Sequence, residues 1–187
     1  MIRGSEDSED LSGGPRSFRI AVRILAGDKG YIDQSTSEDF KYDALDADVR
    51  LTVNGTPPFP SGAHRVSEDG FVSAIPVIDF LWHLAAAVVR LASGDTQHES
   101  VTLTSTDYHL DFLKDNGRVT VRVLAESSEG EFELLAETSV PSDEVIQACT
   151  RAAELVLLGV TSANPELEGN ADLQRFAATV RKLRGAG

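Results

Sequence analysis

Acid–base chemistry could be done by few residues in this chain, and the clearest pair is Asp79 and His83. They stand four residues apart in an apolar stretch, so on a helix the carboxylate could orient the imidazole as a general base. His109 is a second candidate, because strand alternation places it on one face with Asp107 and Asp111. A small enzyme using His83 or His109 is therefore one hypothesis. A solvent-facing helix edge and a polar sheet face explain the same residues, and we favour them.

Other catalytic or metal-binding patterns do not occur in the sequence. The histidines are scattered, and Cys149, the one cysteine, has no partner at a metal-ligand spacing. There is no glycine-rich phosphate loop after a strand, no Gly-x-Ser-x-Gly elbow and no His-Glu-x-x-His helix. We therefore expect no catalytic residue, no metal site and no cofactor. Cys149 falls on the apolar side of a helix, where packing is its expected role.

Acidic residues outnumber basic ones, with 30 Asp and Glu against 17 Lys and Arg and a formal charge of −13. Sequence-independent nucleic-acid binding needs Lys and Arg to neutralise phosphates, so we expect no nucleic-acid partner and no contact with an acidic membrane. A basic protein is the partner that this charge would attract. Solubility alone also accounts for an acidic composition.

The densest acidic stretch runs from Glu126 to Glu144 and contains no Lys or Arg. Within it, alternation predicts a strand with Phe132, Leu134 and Ala136 in the core. The same alternation predicts that the intervening acids share the other face, where they could bind a protein. The candidate contact residues are these acids and two from the loop after the first strand: Glu131, Glu133, Glu137, Asp39 and Asp43. Protection of a sheet edge against aggregation is the alternative explanation.

The longest apolar run, residues 71–94, predicts the helix around which the other elements pack. Pro76 suits the first turn of that helix, and Gly94 suits the left-handed residue just past its end. Apolar residues cover most of the circumference, which is typical of a buried helix. A membrane span needs roughly twenty uninterrupted apolar residues, so a core helix is the better interpretation.

Alternating residues before and after this helix predict an antiparallel sheet. Segments 17–25 and 45–53 read as half-buried strands. Asn116-Gly117 predicts a type I′ hairpin, whose register pairs Phe112 with Val121 and Asp111 with Arg122. Ser142 is expected to cap the next helix and Asn170 the last one.

The element order β-β-α-β-β-β-α-α predicts an α+β fold, with an antiparallel sheet of about five strands and helices packed on one face. Residues 1–16 are expected to be a disordered acidic tail, residues 17–160 a single α+β domain, and residues 161–187 a linker and a C-terminal amphipathic helix. The apolar residues of that last helix could pair with a second copy of the chain. They are Leu173, Phe176 and Val180. One cysteine and no recognisable leader favour a reducing cytoplasm.

The succession of a strand, a proline-rich loop, a helix over residues 75–92, the Asp115-Asn-Gly117 hairpin and a helix from Ser142 resembles small uncharacterised bacterial α+β proteins, including immunity proteins of polymorphic toxin systems. The resemblance covers residues 42–160 and implies a non-catalytic protein that binds another protein. Our leading hypothesis is an acidic cytoplasmic binding module, such as an immunity or inhibitor protein, for a basic partner. The alternatives are a structural homo-oligomer or adaptor, a small enzyme and a DNA-mimic inhibitor.

Overall fold

The computed structural model describes residues 17–24, 45–63 and 65–187. The predicted tail, residues 1–16, and the candidate residues Asp39 and Asp43 lie outside the described residues. The elements of the described part are, in chain order, β1 (Phe18–Arg23), β2 (Asp46–Val53), β3 (Val72–Pro76), α1 (Val77–Ser93), β4 (His98–Thr102), β5 (Tyr108–Asp115), β6 (Arg118–Glu126), β7 (Phe132–Pro141), α2 (Ser142–Ala163), a 3-10 helix (Pro165–Gly169) and α3 (Ala171–Arg184).

The described strands form two antiparallel sheets, one of three strands in the order β1-β2-β3 and one of four in the order β4-β5-β6-β7. The α+β class is confirmed, but seven strands in two sheets take the place of about five in one. Alternation does not reveal β3 and β4, which have five residues each. Ala74 interrupts β3 with a positive φ of 57°, and β4 is mostly polar, so neither shows a clear two-residue period.

The β5–β6 hairpin has the predicted register. Asn116 and Gly117 adopt φ values of 47° and 78°, as both central residues of a type I′ turn require. Phe112 lies opposite Val121, and the neighbouring predicted pairs also hold. Turn chemistry and the facing of apolar residues therefore specify the same alignment here.

Helix α1 lies at the centre of the core and contacts α2, α3 and β4. Gly94 ends it in the left-handed conformation with φ of 82°, which confirms the predicted C-terminus. Pro76 is the last residue of β3 and immediately precedes the helix, instead of lying in its first turn. Most apolar residues of α1 are buried, and they belong to a core that also contains residues of both sheets and of the other helices.

Helix α2 packs against α1 and β1. Its length and composition alone would allow it to cross a membrane. Its apolar face, which includes Cys149, instead belongs to the core, and this packing is compatible with a soluble protein. The predicted Ser142 cap is wrong, because the Ser142 hydroxyl donates to the carbonyl oxygen of Gly117 at 3.0 Å and thereby ties the helix start to the hairpin turn.

Helix α3 is part of the same core. The Asn170 side-chain oxygen accepts hydrogen bonds from the backbone N–H groups of Asp172 and Leu173, both at 3.0 Å, which confirms the predicted cap. Leu173, Phe176 and Val180 are buried, and α3 contacts α1, α2 and the 3-10 helix. The apolar strip predicted to pair with a second copy is thus already covered by this chain.

Candidate functional site

A β-bulge in β7 decides which side chains the first half of this strand presents to solvent. Val123 of β6 lies opposite Ala136, but the next residue, Leu124, lies opposite Leu134, so Leu135 is an extra residue. One extra residue moves every preceding side chain to the other face of the sheet. Phe132 and Leu134, predicted to be in the core, therefore lie on the outer face, 55% and 52% exposed.

The bulge also separates the three glutamates that were predicted to share a face. Glu137 lies opposite Arg122 on the outer face, and the Arg122 Nε donates to its Oε2 at 2.5 Å. Glu133 lies opposite Ala125 and so belongs to the other face, while Glu131 precedes the strand. Both are exposed. Since the register does not place these acids on one face, the predicted stripe is corrected to exposed acids on both sides of β7 beside Phe132 and Leu134.

His109 of β5 lies on the outer face of the sheet and contacts Phe132. Its Nε2 lies 3.1 Å from Oε2 of Glu126, and its Nδ1 lies 3.1 Å from the hydroxyl of Thr102. Its ring meets the ring of Phe132 edge-on, with centroids 5.1 Å apart. Both ring nitrogens are occupied and the side chain is largely buried, so the geometry suits a residue that positions Phe132 better than a general base open to substrate.

Asp107 and Asp111, the aspartates predicted to share a face with His109, form no ion pair with it in the described part of the chain. Asp111 lies opposite Arg122 as predicted, but the Arg122 side chain pairs with Glu137 on β7. Asp111 instead lies 3.6 Å from Nε2 of His98. The outer face of the four-stranded sheet is therefore a mixed surface of separate charge pairs.

His83 is exposed at the surface of α1. Its side chain is 69% exposed, and its Nε2 lies 3.4 Å from Oδ1 of Asp79. The second oxygen of Asp79 accepts a hydrogen bond from the Thr104 hydroxyl at 2.8 Å. The hydroxyl thus contacts the carboxylate and not the imidazole, so the three groups do not form the nucleophile–base contact of a catalytic triad. Their role in the structure is to join α1 to the β4–β5 connection.

Two concavities in the described part of the chain bear on small-molecule binding. A cavity of about 10 Å³ beside α1 is lined by apolar residues, Lys114 and Ser142, and its volume is far below that of a ligand pocket. An open groove of about 370 Å³ lies between α2 and α3, and its lining includes Leu157, Leu173 and Arg181. No histidine lines either concavity.

Metal-binding and thiol chemistry find no suitable geometry in the described residues. No three His, Cys, Asp or Glu side chains among them lie close enough to hold a metal ion. Cys149 is buried, and burial raises the pKa of its thiol far above the usual value. A neutral, enclosed thiol is a packing group and a poor nucleophile.

A charged cluster that the sequence pattern does not reveal lies on the three-stranded sheet. Buried Asp48 accepts two hydrogen bonds from the Arg23 guanidinium, at 2.7 and 3.1 Å. Arg23 and Arg50 lie over the ring of Phe71, with distances of 4.2 and 4.9 Å to its centroid. These contacts join the segment before β3 to the sheet.

A second pair of exposed apolar residues lies on α2. Leu155 and Leu158 are 55% and 66% exposed and stand three residues apart on one helix face. Their surroundings differ from those of Phe132 and Leu134, because the nearby Glu154 already binds Arg184. They therefore provide a chemically matched surface without an excess of unpaired acids.

Seven described strands in two antiparallel sheets, together with three α-helices, define an α+β protein whose outer sheet face carries separate charge pairs and two exposed apolar residues. No protein-family model, no curated protein and no solved structure matches this chain. The resemblance to immunity proteins stays a prediction, and the chemistry of the surface is the basis for assigning a function.

Proposed function

We propose that this protein is a non-catalytic binding module that docks a basic protein partner on the outer face of its four-stranded sheet. The observation that carries the proposal is the bulge at Leu135, which turns Phe132 and Leu134 out to solvent. Apolar side chains exposed within a charged surrounding are typical of protein-contact surfaces. A cytoplasmic immunity or inhibitor protein is the form of this function that the resemblance implies.

The charges around these two residues specify the sign of the partner. Glu129, Glu131 and Glu133 are exposed and make no ion pair with another described residue. The segment from Glu126 to Glu144, which includes Phe132 and Leu134, contains no Lys or Arg. A partner carrying Lys or Arg around an apolar contact would complement this surface, and the attraction would mainly speed association.

The alternative functions have less support from the described geometry. The α3 strip that would have built a homo-oligomer is buried. Neither His83 nor His109 lines the cavity or the groove described above, so the hydroxyl of Thr102 beside His109 has no adjoining substrate pocket among them. A DNA mimic would share the acidic surface but would bind nucleic-acid enzymes through charge alone, whereas this surface also offers two apolar anchors.

The apolar anchors can be tested by replacing Phe132 and Leu134 together with serine. Partners are captured from the native cell lysate on the immobilised protein, identified by mass spectrometry and titrated in purified form. We expect the double variant to bind the basic partner at least about thirtyfold more weakly, because each of the two truncated anchors loses roughly 1 to 3 kcal/mol of burial and about 1.4 kcal/mol corresponds to tenfold in affinity.

Leu155→Ser with Leu158→Ser is the matched control, since it removes two equally exposed apolar side chains from a different surface. This control should leave affinity unchanged. Equal binding by the Phe132/Leu134 variant and the unmodified chain would contradict the proposed docking face, as would a loss confined to the control.

The acidic charges can be tested separately with Glu131→Lys and Glu133→Lys in one chain. Association with the basic partner should slow, and its dependence on salt should flatten, because the long-range attraction is reduced. The control reverses Glu166 and Glu168, two exposed acids of the 3-10 helix, and so has the same net charge. Stopped-flow rates at several salt concentrations compare the two; identical rates would rule out steering by this surface.

A further inference from the structure

Strand β7 leaves one of its edges open over its first half. It is ten residues long and lies at the end of the strand order β4-β5-β6-β7. On the side away from β6, the Asn54 side chain donates to the backbone oxygen of Glu137 at 3.3 Å and accepts from the Thr138 hydroxyl at 2.9 Å. No other described strand pairs with residues 132–136 on that side, so their outward backbone groups form an available strand edge.

The negative charges on this edge disfavour pairing with a second copy of β7 and favour pairing with a basic strand. Pairing with β7 of a second copy would bring Glu131 and Glu133 against other glutamates, and like charges on neighbouring strands are destabilising. A strand carrying Lys or Arg would bring opposite charges together at the same positions. The edge is therefore protected against self-association but compatible with a basic segment.

The two faces of β7 impose a pattern on such a segment. Phe132 and Leu134 occupy the outer face, whereas Glu133 occupies the other. Neighbouring strands in a sheet place their side chains in register on each face. A complementary segment therefore has apolar residues at every second position and Lys or Arg at the positions between them.

We propose that the partner binds by adding an extended segment, alternately apolar and basic, to the free edge of β7 as a fifth strand of the four-stranded sheet. The inference rests on the proposed function and specifies how the partner is held. Backbone hydrogen bonds along residues 132–136 provide the affinity, and the alternating side chains provide the selectivity.

The test uses two synthetic peptides of six residues that alternate valine and lysine. One has normal amides, and the other carries N-methyl groups on alternate amides of one edge, so that it keeps its side chains and charge but loses those hydrogen-bond donors. Each is titrated into the full chain labelled with nitrogen-15, and amide hydrogen exchange is followed residue by residue. We expect the normal peptide to protect amides within residues 132–136 and to bind about tenfold or more tightly than the methylated peptide.

Equal binding of both peptides, with no protection of these amides, would overturn strand addition. Strand addition would also be overturned if the chain bound neither peptide. If binding of the captured protein partner still depended on Phe132 and Leu134, the proposed docking function would stand. The alternating pattern would be supported if the Glu131→Lys, Glu133→Lys variant no longer bound the normal peptide while the variant with Glu166 and Glu168 reversed still bound it. Insensitivity to both reversals would overturn it.

Discussion

At the scale of single residues, Asp69 shows how a loop is held by short polar contacts. The Ser67 hydroxyl donates to Oδ1 of Asp69 at 2.5 Å, and the Arg23 guanidinium donates to Oδ2 at 3.2 Å. The Ser67 hydrogen bond is the largest cause that lowers the pKa of the Asp69 carboxyl below its usual value, and Arg23 adds to it. Hydrogen bonds to the charged form favour that form.

Replacing Ser67 with alanine should raise the pKa of Asp69 toward that of an ordinary aspartate. A carboxyl with a depressed folded-state pKa adds stability above its unfolded pKa and loses it as the pH falls through the folded value. The variant should therefore lose less stability on acidification than the unmodified chain. A carboxyl titration by NMR measures the shift, with Ser73→Ala as control. An unchanged Asp69 pKa would show that Ser67 does not hold it.

Only some residues of the candidate site could be predicted from the sequence. Acidity between Glu126 and Glu144 is visible as composition, and the partner's charge follows from it. The exposure of Phe132 and Leu134 is not visible, because both are apolar and in phase with buried Val140. The contact between His109 and Phe132 is likewise a product of the folded sheet.

At the scale of elements, the stability of α3 depends on its N-terminal cap, Asn170. The Asn170 side chain satisfies two N–H groups that a helix start otherwise leaves without partners. We expect Asn170→Ala to lower the free energy of unfolding by about 1 kcal/mol. Urea denaturation measures this, and Asn170→Asp should retain most of the stability. Equal stability of the alanine variant would show that the cap contributes little.

Local chemistry explains which elements could be predicted. The β5–β6 hairpin follows from Asn116-Gly117, since both residues must adopt positive φ, and the end of α1 follows from Gly94. The bulge in β7 has a fainter signal, which is Leu135, an apolar residue out of phase between Leu134 and Ala136. Ser142 illustrates the limit, because its tertiary bond to Gly117 replaces the expected local cap.

At the scale of the whole molecule, α3 and both sheets share one core. Phe176 is fully buried within it. Phe176→Ala should therefore destabilise the protein by about 3 to 5 kcal/mol, the usual cost of truncating a buried phenylalanine. Phe132→Ala is the control, because it removes the same atoms from an exposed position. Chemical denaturation of both variants compares them, and similar losses would contradict a shared core.

The fold class follows from the order of strands and helices, whereas the number of sheets does not. Periodicity identifies which residues of β1 and β2 face the core, but it does not say which strands become neighbours. That choice depends on contacts between distant segments, such as the edge-on packing of Phe18 against Phe112. The division at residue 160 stays a prediction; sequence alone does not reveal that α3 contacts α1, which is remote from it in the chain.

The bulge at Leu135 also has a consequence for how this surface can change in evolution. Loss of the Leu135 codon would remove the extra residue and restore simple alternation, yet Leu134 would still lie opposite Leu124 and Phe132 opposite Glu126, both on the outer face. The backbone fold on either side could stay the same. An in-frame deletion at the bulge would thus preserve the outward placement of Phe132 and Leu134, so related chains could differ in the length of β7 by one residue here and keep the proposed docking face.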